Sequence, residues 1–288
     1  MRGYFLFWFS VLGLSFFSVL LFSASNLFSF WLFLELCVLC LVPMFFLGGE
    51  VLSLSGLFSY LIVSSISSSL VVSGILFEGF LFLFLVGLLI KFGIFPFMGW
   101  VYEVVGGSNW CVVWGLSTFL KIPFFILPFL VLSVSVQLVE VFVIFSFLVL
   151  SGLFWIYTSD WLGCWCHMML SSSACLISMA FYQSLEALFW FFVLYSLWSS
   201  FSIFFMSRQS GFYLIGIGAY FLFSFLLVSF PFSFSVFYKF LLSGYMYSCC
   251  FALFVSWVLY SISEQFYLLS ILMGSEVPSS RLGVSCFV

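Results

Sequence analysis

The sequence predicts an all-α polytopic membrane protein with about ten transmembrane helices. Of its 288 residues, 66% are hydrophobic and only 5% are charged, and the mean hydropathy is +1.39. A soluble fold needs more polar surface than this composition supplies. Apolar runs recur along the whole length without a hydrophilic domain between them, so we expect one integral membrane domain over residues 1–288.

The apolar runs and the polar or glycine-containing turns between them define the spans, each needing about 20 apolar residues. Their approximate ranges are 4–23, 27–47, 51–77, 79–97, 110–132, 134–157, 162–182, 185–206, 211–244 and 245–273. The ninth range is long for one straight span and contains Pro231. Because proline removes a helical hydrogen bond, we expect a discontinuous helix there.

The third span, residues 51–77, is rich in serine. Serine hydroxyls donate to carbonyls of the preceding helical turn, and small residues let neighbouring helices approach closely. We therefore interpret this span as a packing element.

The remaining composition excludes several function classes. The six basic residues are scattered, so they form no patch for nucleic acid. The sequence lacks the nucleotide-binding patterns G-x-x-x-x-G-K-[ST] and G-x-G-x-x-G and the zinc pattern H-E-x-x-H. The pair Cys37/Cys40 and the run Cys164-Trp165-Cys166-His167 have metal-like spacing, but buried cysteine is also an ordinary small hydrophobe. We expect no metal and no cofactor bound to this chain.

Four ionisable residues lie well inside apolar spans, namely Glu35, Lys91, Lys121 and Lys239. A charge near the bilayer centre costs about 2.5–3.5 kcal/mol on insertion scales. One interpretation is that Lys91 and Lys239 extend along their stems to the membrane interface. The other is a proton or cation route, because a Glu and a Lys on neighbouring spans can form a pair that opens and exchanges a proton.

His167 is a candidate proton relay near the start of the seventh span, or alternatively an interfacial residue. The other carboxylates considered lie near span ends and are most simply interfacial. They are Glu78, Glu103, Glu140, Asp160 and Glu186. Glu35 is therefore the one carboxylate that the sequence places clearly inside a span.

Four motifs carrying these residues resemble a known family. They are K-F-G-I-F-P-F-M-G-W-V-Y-E-V at 91–104, W-L-F-L-E-L-C-V-L-C-L-V-P at 31–43, L-S-T-F-L-K-I-P at 116–123 and S-F-P-F-S-F-S-V-F-Y-K-F at 229–240. In order and spacing, the chain resembles chain 2 of mitochondrial NADH:ubiquinone oxidoreductase (respiratory complex I), with a length and Phe content most like nematode versions.

The resemblance implies an antiporter-like, inverted-repeat bundle with two discontinuous helices. It implies a Glu–Lys pair at Glu35 and Lys91, a central lysine at Lys121 and a distal lysine at Lys239. It further implies a multi-pass protein of the mitochondrial inner membrane that moves protons within a hetero-oligomer of other complex I membrane subunits and lipids. NADH, FMN, iron–sulphur clusters and ubiquinone would be bound elsewhere in that complex, and this chain would perform no redox chemistry.

The chain departs from the family pattern at several positions. Met98 and Cys175 stand where the family has histidines, and Tyr102 stands where it has a proline. Water or His167 would then have to carry the proton through the seventh span. Two alternatives to a complex I subunit stay open, namely a free-standing H⁺/cation antiporter and a purely structural membrane subunit.

Overall fold

A computed structural model describes residues 2–24, 26–47, 51–77, 81–125, 136–158, 160–209 and 216–274. The predicted all-α architecture is confirmed, because these residues form helices and contain no strand. Within these ranges, seven helices are long and apolar enough to cross a membrane, and three shorter apolar helices accompany them. The chain is a multi-pass membrane protein, and it divides into two compact units, Met1–Leu138 and Val139–Val288.

The described residues of the first unit form six α-helices and a 3-10 segment. They are α1 (Arg2–Phe22), α2 (Leu27–Phe45), α3 (Val51–Leu76), α4 (Leu81–Phe92), α5 (Gly99–Gly106), α6 (Trp110–Thr118) and the 3-10 segment Phe119–Phe125. Helix α3 packs against α2, α4 and α5, and α1 packs against α2. The helix of the fourth predicted span (79–97) ends early, at Phe92, and a break separates it from α5, which lies beyond the predicted span.

The serine hydroxyls of α3 donate to carbonyls of the preceding turn, as the sequence predicts. Ser65, Ser67, Ser68 and Ser69 each donate a hydrogen bond to the carbonyl three residues earlier. Close approach to α4 depends on Gly74, because a Cβ there would lie 2.5 Å from the backbone nitrogen of Phe84.

Six further helices lie in the part of the second unit that the structure describes, the first of them beginning just before it. They are α7 (Val136–Tyr157), α8 (Trp161–Tyr182), α9 (Leu185–Ser207), α10 (Ile217–Leu226), α11 (Phe234–Cys249) and α12 (Phe251–Gly274). Helix α8 is buried almost all round, as expected for the central helix of a bundle. Helices α9 and α11 pack against it, and α12 packs against α11.

The second unit departs from the predicted ranges in one place. The ninth predicted span is discontinuous, with its break between α10 and α11, but α11 continues through Gly244 to Cys249 and α12 begins at Phe251. A glycine inside a helix weakens it by only about 1 kcal/mol and does not end it. The end of the fifth span (126–132), the start of the sixth (134–135) and residues 211–215 of the ninth lie outside the described residues.

Candidate functional site

The first unit brings Glu35 and Lys91 together. The Lys91 Nζ lies 2.5 Å from Glu35 Oε1, and the two side chains are 10% and 23% exposed. The second carboxylate oxygen accepts a hydrogen bond from the Ser64 hydroxyl at 3.4 Å. Lys91 therefore contacts a carboxylate within the protein instead of extending away from it, and α2, α3 and α4 each contribute one side chain to the site.

The local sequence explains why α4 ends just after Lys91. Gly93 has a φ of +67°, and its N–H donates to the Ile90 carbonyl while the N–H of Ile94 donates to Leu89. These two hydrogen bonds form a Schellman motif, in which the helix ends at a glycine in the left-handed conformation. The Trp100 indole adds a third contact by donating to the Ile90 carbonyl at 2.9 Å. A cation beside these C-terminal carbonyls is favourably placed.

Lys121 lies in the 3-10 segment Phe119–Phe125 and is 2% exposed. The sequence predicts a single span over 110–132, but the α-helix ends at Thr118. Pro123 explains the change, because it has no N–H to donate to the carbonyl four residues back. The segment contacts the end of α4, since the rings of Phe124 and Phe92 lie 4.0 Å apart. The 3-10 segment that carries Lys121 therefore contacts the end of α4, the helix that carries Lys91.

The second unit contains an ion pair that the sequence argument missed. The Lys239 Nζ lies 2.7 Å from Glu264 Oε1, with side chains 14% and 6% exposed. The prediction that Glu35 is the one carboxylate clearly inside a span is therefore wrong, because Glu264 is a second. Glu264 shares a face of α12 with the buried Tyr260, Leu268 and Ile271. A carboxylate at helical spacing within an apolar stripe is the signal that could have identified it.

The break between α10 and α11 lies beside this second pair. The Ser233 hydroxyl accepts from the Val236 N–H and caps α11, and the Trp198 indole donates to the Leu226 carbonyl at 2.7 Å. Gln265 of α12 accepts from the Ser229 N–H at 2.8 Å. The backbone groups released by the break are thus bound by side chains of neighbouring helices, as irregular backbone in a membrane requires.

His167 is fully buried in α8, with its ring 4.7 Å from that of Phe154. This position favours the protein interior over the interfacial alternative. Its backbone carbonyl accepts from the Tyr260 hydroxyl at 3.4 Å. The relay role of His167 stays a prediction.

The two positions where the family has histidine are buried. Met98 directly precedes α5, and Cys175 is in α8 next to the second ion pair. Among the described residues, no three His, Cys, Asp or Glu side chains lie close enough together to hold a metal ion.

The fold is similar to solved structures, although no protein-family model matches the sequence and no characterised protein matches it in sequence. A chain of respiratory complex I from Thermus thermophilus, solved with bound aureothin, is 18% identical with a TM-score of 0.80, covering 96% of this chain and 71% of that one. A chain of the Mrp complex from Dietzia sp. is 16% identical with a TM-score of 0.69, covering 86% of this chain and 56% of that one. This chain therefore shares its fold with a chain of each of these complexes.

Proposed function

We propose that this chain is a proton-translocating membrane subunit of respiratory complex I in the mitochondrial inner membrane. The observation that carries the proposal is the contact of Glu35 with Lys91 at the end of a broken helix, with Lys121 on an adjoining segment. The fold shared with a complex I chain supports it. Other subunits would bind NADH, FMN, the iron–sulphur clusters and ubiquinone.

The Glu35–Lys91 pair is the switch in this proposal. While the pair is closed, the two opposite charges attract each other across 2.5 Å. Opening the pair leaves a partly buried ammonium without its counter-charge, and that cost favours proton transfer to a neighbouring acceptor. Lys121 would take up or release a proton in response, and Lys239 would pass it on. Moving one charge against 100 mV costs about 2.3 kcal/mol, so the drive must come from redox chemistry in other subunits.

The first test is purification of the complex that contains this chain from its native membrane. We expect co-purification with a multi-subunit NADH dehydrogenase whose quinone reduction is sensitive to rotenone. Recovery of the chain alone or as a small oligomer would contradict the complex I assignment.

The second test replaces Lys121 by Gln in the full chain within that complex. We expect proton uptake per NADH oxidised to fall while the complex still assembles. A purely structural subunit predicts the opposite result, with impaired assembly and normal proton movement in whatever complex forms. Arg208→Gln is a matched control, because Arg208 ends α9 with its guanidinium over the Phe204 ring.

One observation favours a second candidate, a free-standing H⁺/cation antiporter. Glu264 adds a second interior carboxylate to Glu35, and interior carboxylates are what a cation site needs. The fold shared with a chain of the Mrp complex is compatible with this alternative. Sodium-dependent proton flux in liposomes containing the full chain alone would support it, and absence of that flux would exclude it.

A further inference from the structure

The Lys239–Glu264 pair is held in place by residues that also bind the helix break. The Gln265 side chain donates to Glu264 Oε1 at 3.3 Å and to the Leu227 carbonyl at 3.4 Å. The Ser235 hydroxyl donates to the same carbonyl at 3.1 Å. Movement at the break would therefore be transmitted to the carboxylate through Gln265.

Two spaces meet at this pair. A cleft of about 470 Å³ is lined by Lys239, by hydroxyls of Ser229, Ser243 and Ser261, and by apolar side chains that include the exposed Phe240. A second, smaller cavity of about 20 Å³ is lined by Lys239, Glu264, Tyr260 and Ser171 among others. A space of that size holds about one water molecule. Lys239 lines both spaces, whereas Glu264 lines only the inner one.

Residues of α8 line the inner cavity. The Tyr260, Ser171 and Glu264 side chains line it together, and the Tyr260 hydroxyl donates to the His167 carbonyl of α8 at 3.4 Å. The Ser172 hydroxyl, on the next residue of α8, donates to Tyr195 at 3.1 Å. Hydroxyl groups both donate and accept, so a row of them beside one water can carry a proton between a carboxylate and α8.

We propose that Glu264 positions and stabilises the protonated form of Lys239, so that the pair forms a second proton-exchange site between the outer cleft and the inner cavity of the second unit. Release to cleft water breaks one Nζ–H bond and gives a hydronium ion and a neutral amine. Uptake through the inner cavity forms a new Nζ–H bond and restores the ammonium. This inference rests on the proposed proton-translocating function and adds Glu264 to its machinery.

The test compares substitutions in the complex that contains the full chain, reconstituted in liposomes with an internal pH indicator. Glu264→Gln keeps the size of the side chain and removes its charge. We expect it to slow proton movement by at least about tenfold, because a positioned proton-transfer group contributes roughly 10²–10⁴-fold. Glu264→Asp should restore part of the rate and shift its pH profile, which a purely structural partner would leave unchanged.

The pH profile is interpreted against the other titratable groups that face the pair. These are Cys164 and Cys175 on α8, Tyr238 on α11 and Tyr260 on α12. Cysteines and tyrosines ordinarily titrate at about 8.5 and 10, and histidine at about 6.5. A change on Glu264→Asp below about pH 8 therefore reports on the pair where it persists in a His167→Gln background.

The control is Glu186→Gln, which removes an exposed carboxylate from the first turn of α9 and should change nothing. Suppose that assembled Glu264→Gln moves protons normally with an unchanged pH profile, while Glu35→Gln loses proton movement. This result would overturn the present inference and leave the proposed function standing. Normal movement in both variants would overturn the two together. If Glu264→Gln fails to assemble, an unchanged pH profile in Glu264→Asp would overturn the inference alone.

Discussion

At the residue scale, both ion pairs join a lysine beside a helix break to a glutamate on an unbroken helix. Lys91 lies in the last turn of α4, and Lys239 lies in the second turn of α11. Glu35 and Glu264 lie in α2 and α12, which continue well past them. The glutamates are therefore the fixed members of the pairs, and the lysines are attached to the segments whose backbone is already interrupted.

We expect Glu35→Gln to lower both stability and proton movement. It leaves the Lys91 ammonium without its counter-charge, which costs about 3–5 kcal/mol in fully buried pairs. The cost here should be smaller, because the Glu35 side chain is 23% exposed. The double variant Glu35→Gln with Lys91→Gln removes both charges and should recover the stability without recovering proton movement. Heat resistance of the assembled complex and liposome proton uptake measure the two effects, and recovery of both would identify the pair as purely structural.

The interior lysines were easier to predict from the sequence than the glutamates that pair with them. Lys91, Lys121 and Lys239 are conspicuous because a cation inside an apolar run is costly wherever it points. Glu264 is followed by Gln265 and preceded by Ser263, so it resembles the polar end of a span. Its burial depends on which face of α12 meets α11, and that packing joins residues 25 positions apart. Long-range pairing of this kind is set by tertiary structure, which local sequence does not encode.

At the scale of elements, the break after α4 depends on one glycine. Gly93→Ala should destabilise the first unit by about 1–2 kcal/mol, because an L side chain at positive φ meets its own backbone. Gly99→Ala is the matched control, since Gly99 begins α5 and a Cβ there meets nothing within 4 Å. The apparent midpoint of thermal loss of the assembled complex measures the difference. Equal midpoints for the two variants would show that the break tolerates a side chain.

The contact between α3 and α4 also supports the Glu35–Lys91 site, because both helices contribute a side chain to it. Gly74→Ala would place a Cβ 2.5 Å from the Phe84 backbone nitrogen, so the two helices must separate. Overpacking of this kind costs about 1–3 kcal/mol. Gly152→Ala in α7, where a Cβ has open space, should have no such effect. The yield of folded chain and its heat resistance test this, and a stable Gly74→Ala protein with full proton movement would contradict it.

Helix breaks were only partly predictable from proline positions. Pro231 lies in an actual break, and Pro123 changes α-helix to 3-10 helix without ending the apolar run. Pro43 lies inside α2, near its end, without breaking it. At the break that contains Pro231, Trp198 and Gln265 donate to the carbonyls of Leu226 and Leu227. Those neighbours come from other helices, so proline alone indicates where a break is permitted.

At the scale of the whole molecule, the described part of each compact unit contains an interrupted helix and a lysine–glutamate pair. If the two pairs act on the same proton in sequence, the slower step limits the rate. Combining Glu35→Gln with Glu264→Gln should then lose no more proton movement than the more severe single variant. If each pair instead serves its own route, each single variant should keep the proton movement of the other route. Only the double variant should then abolish proton movement. Proton uptake per NADH oxidised in the four complexes, wild type included, decides between them, because residues acting as one unit are strongly non-additive.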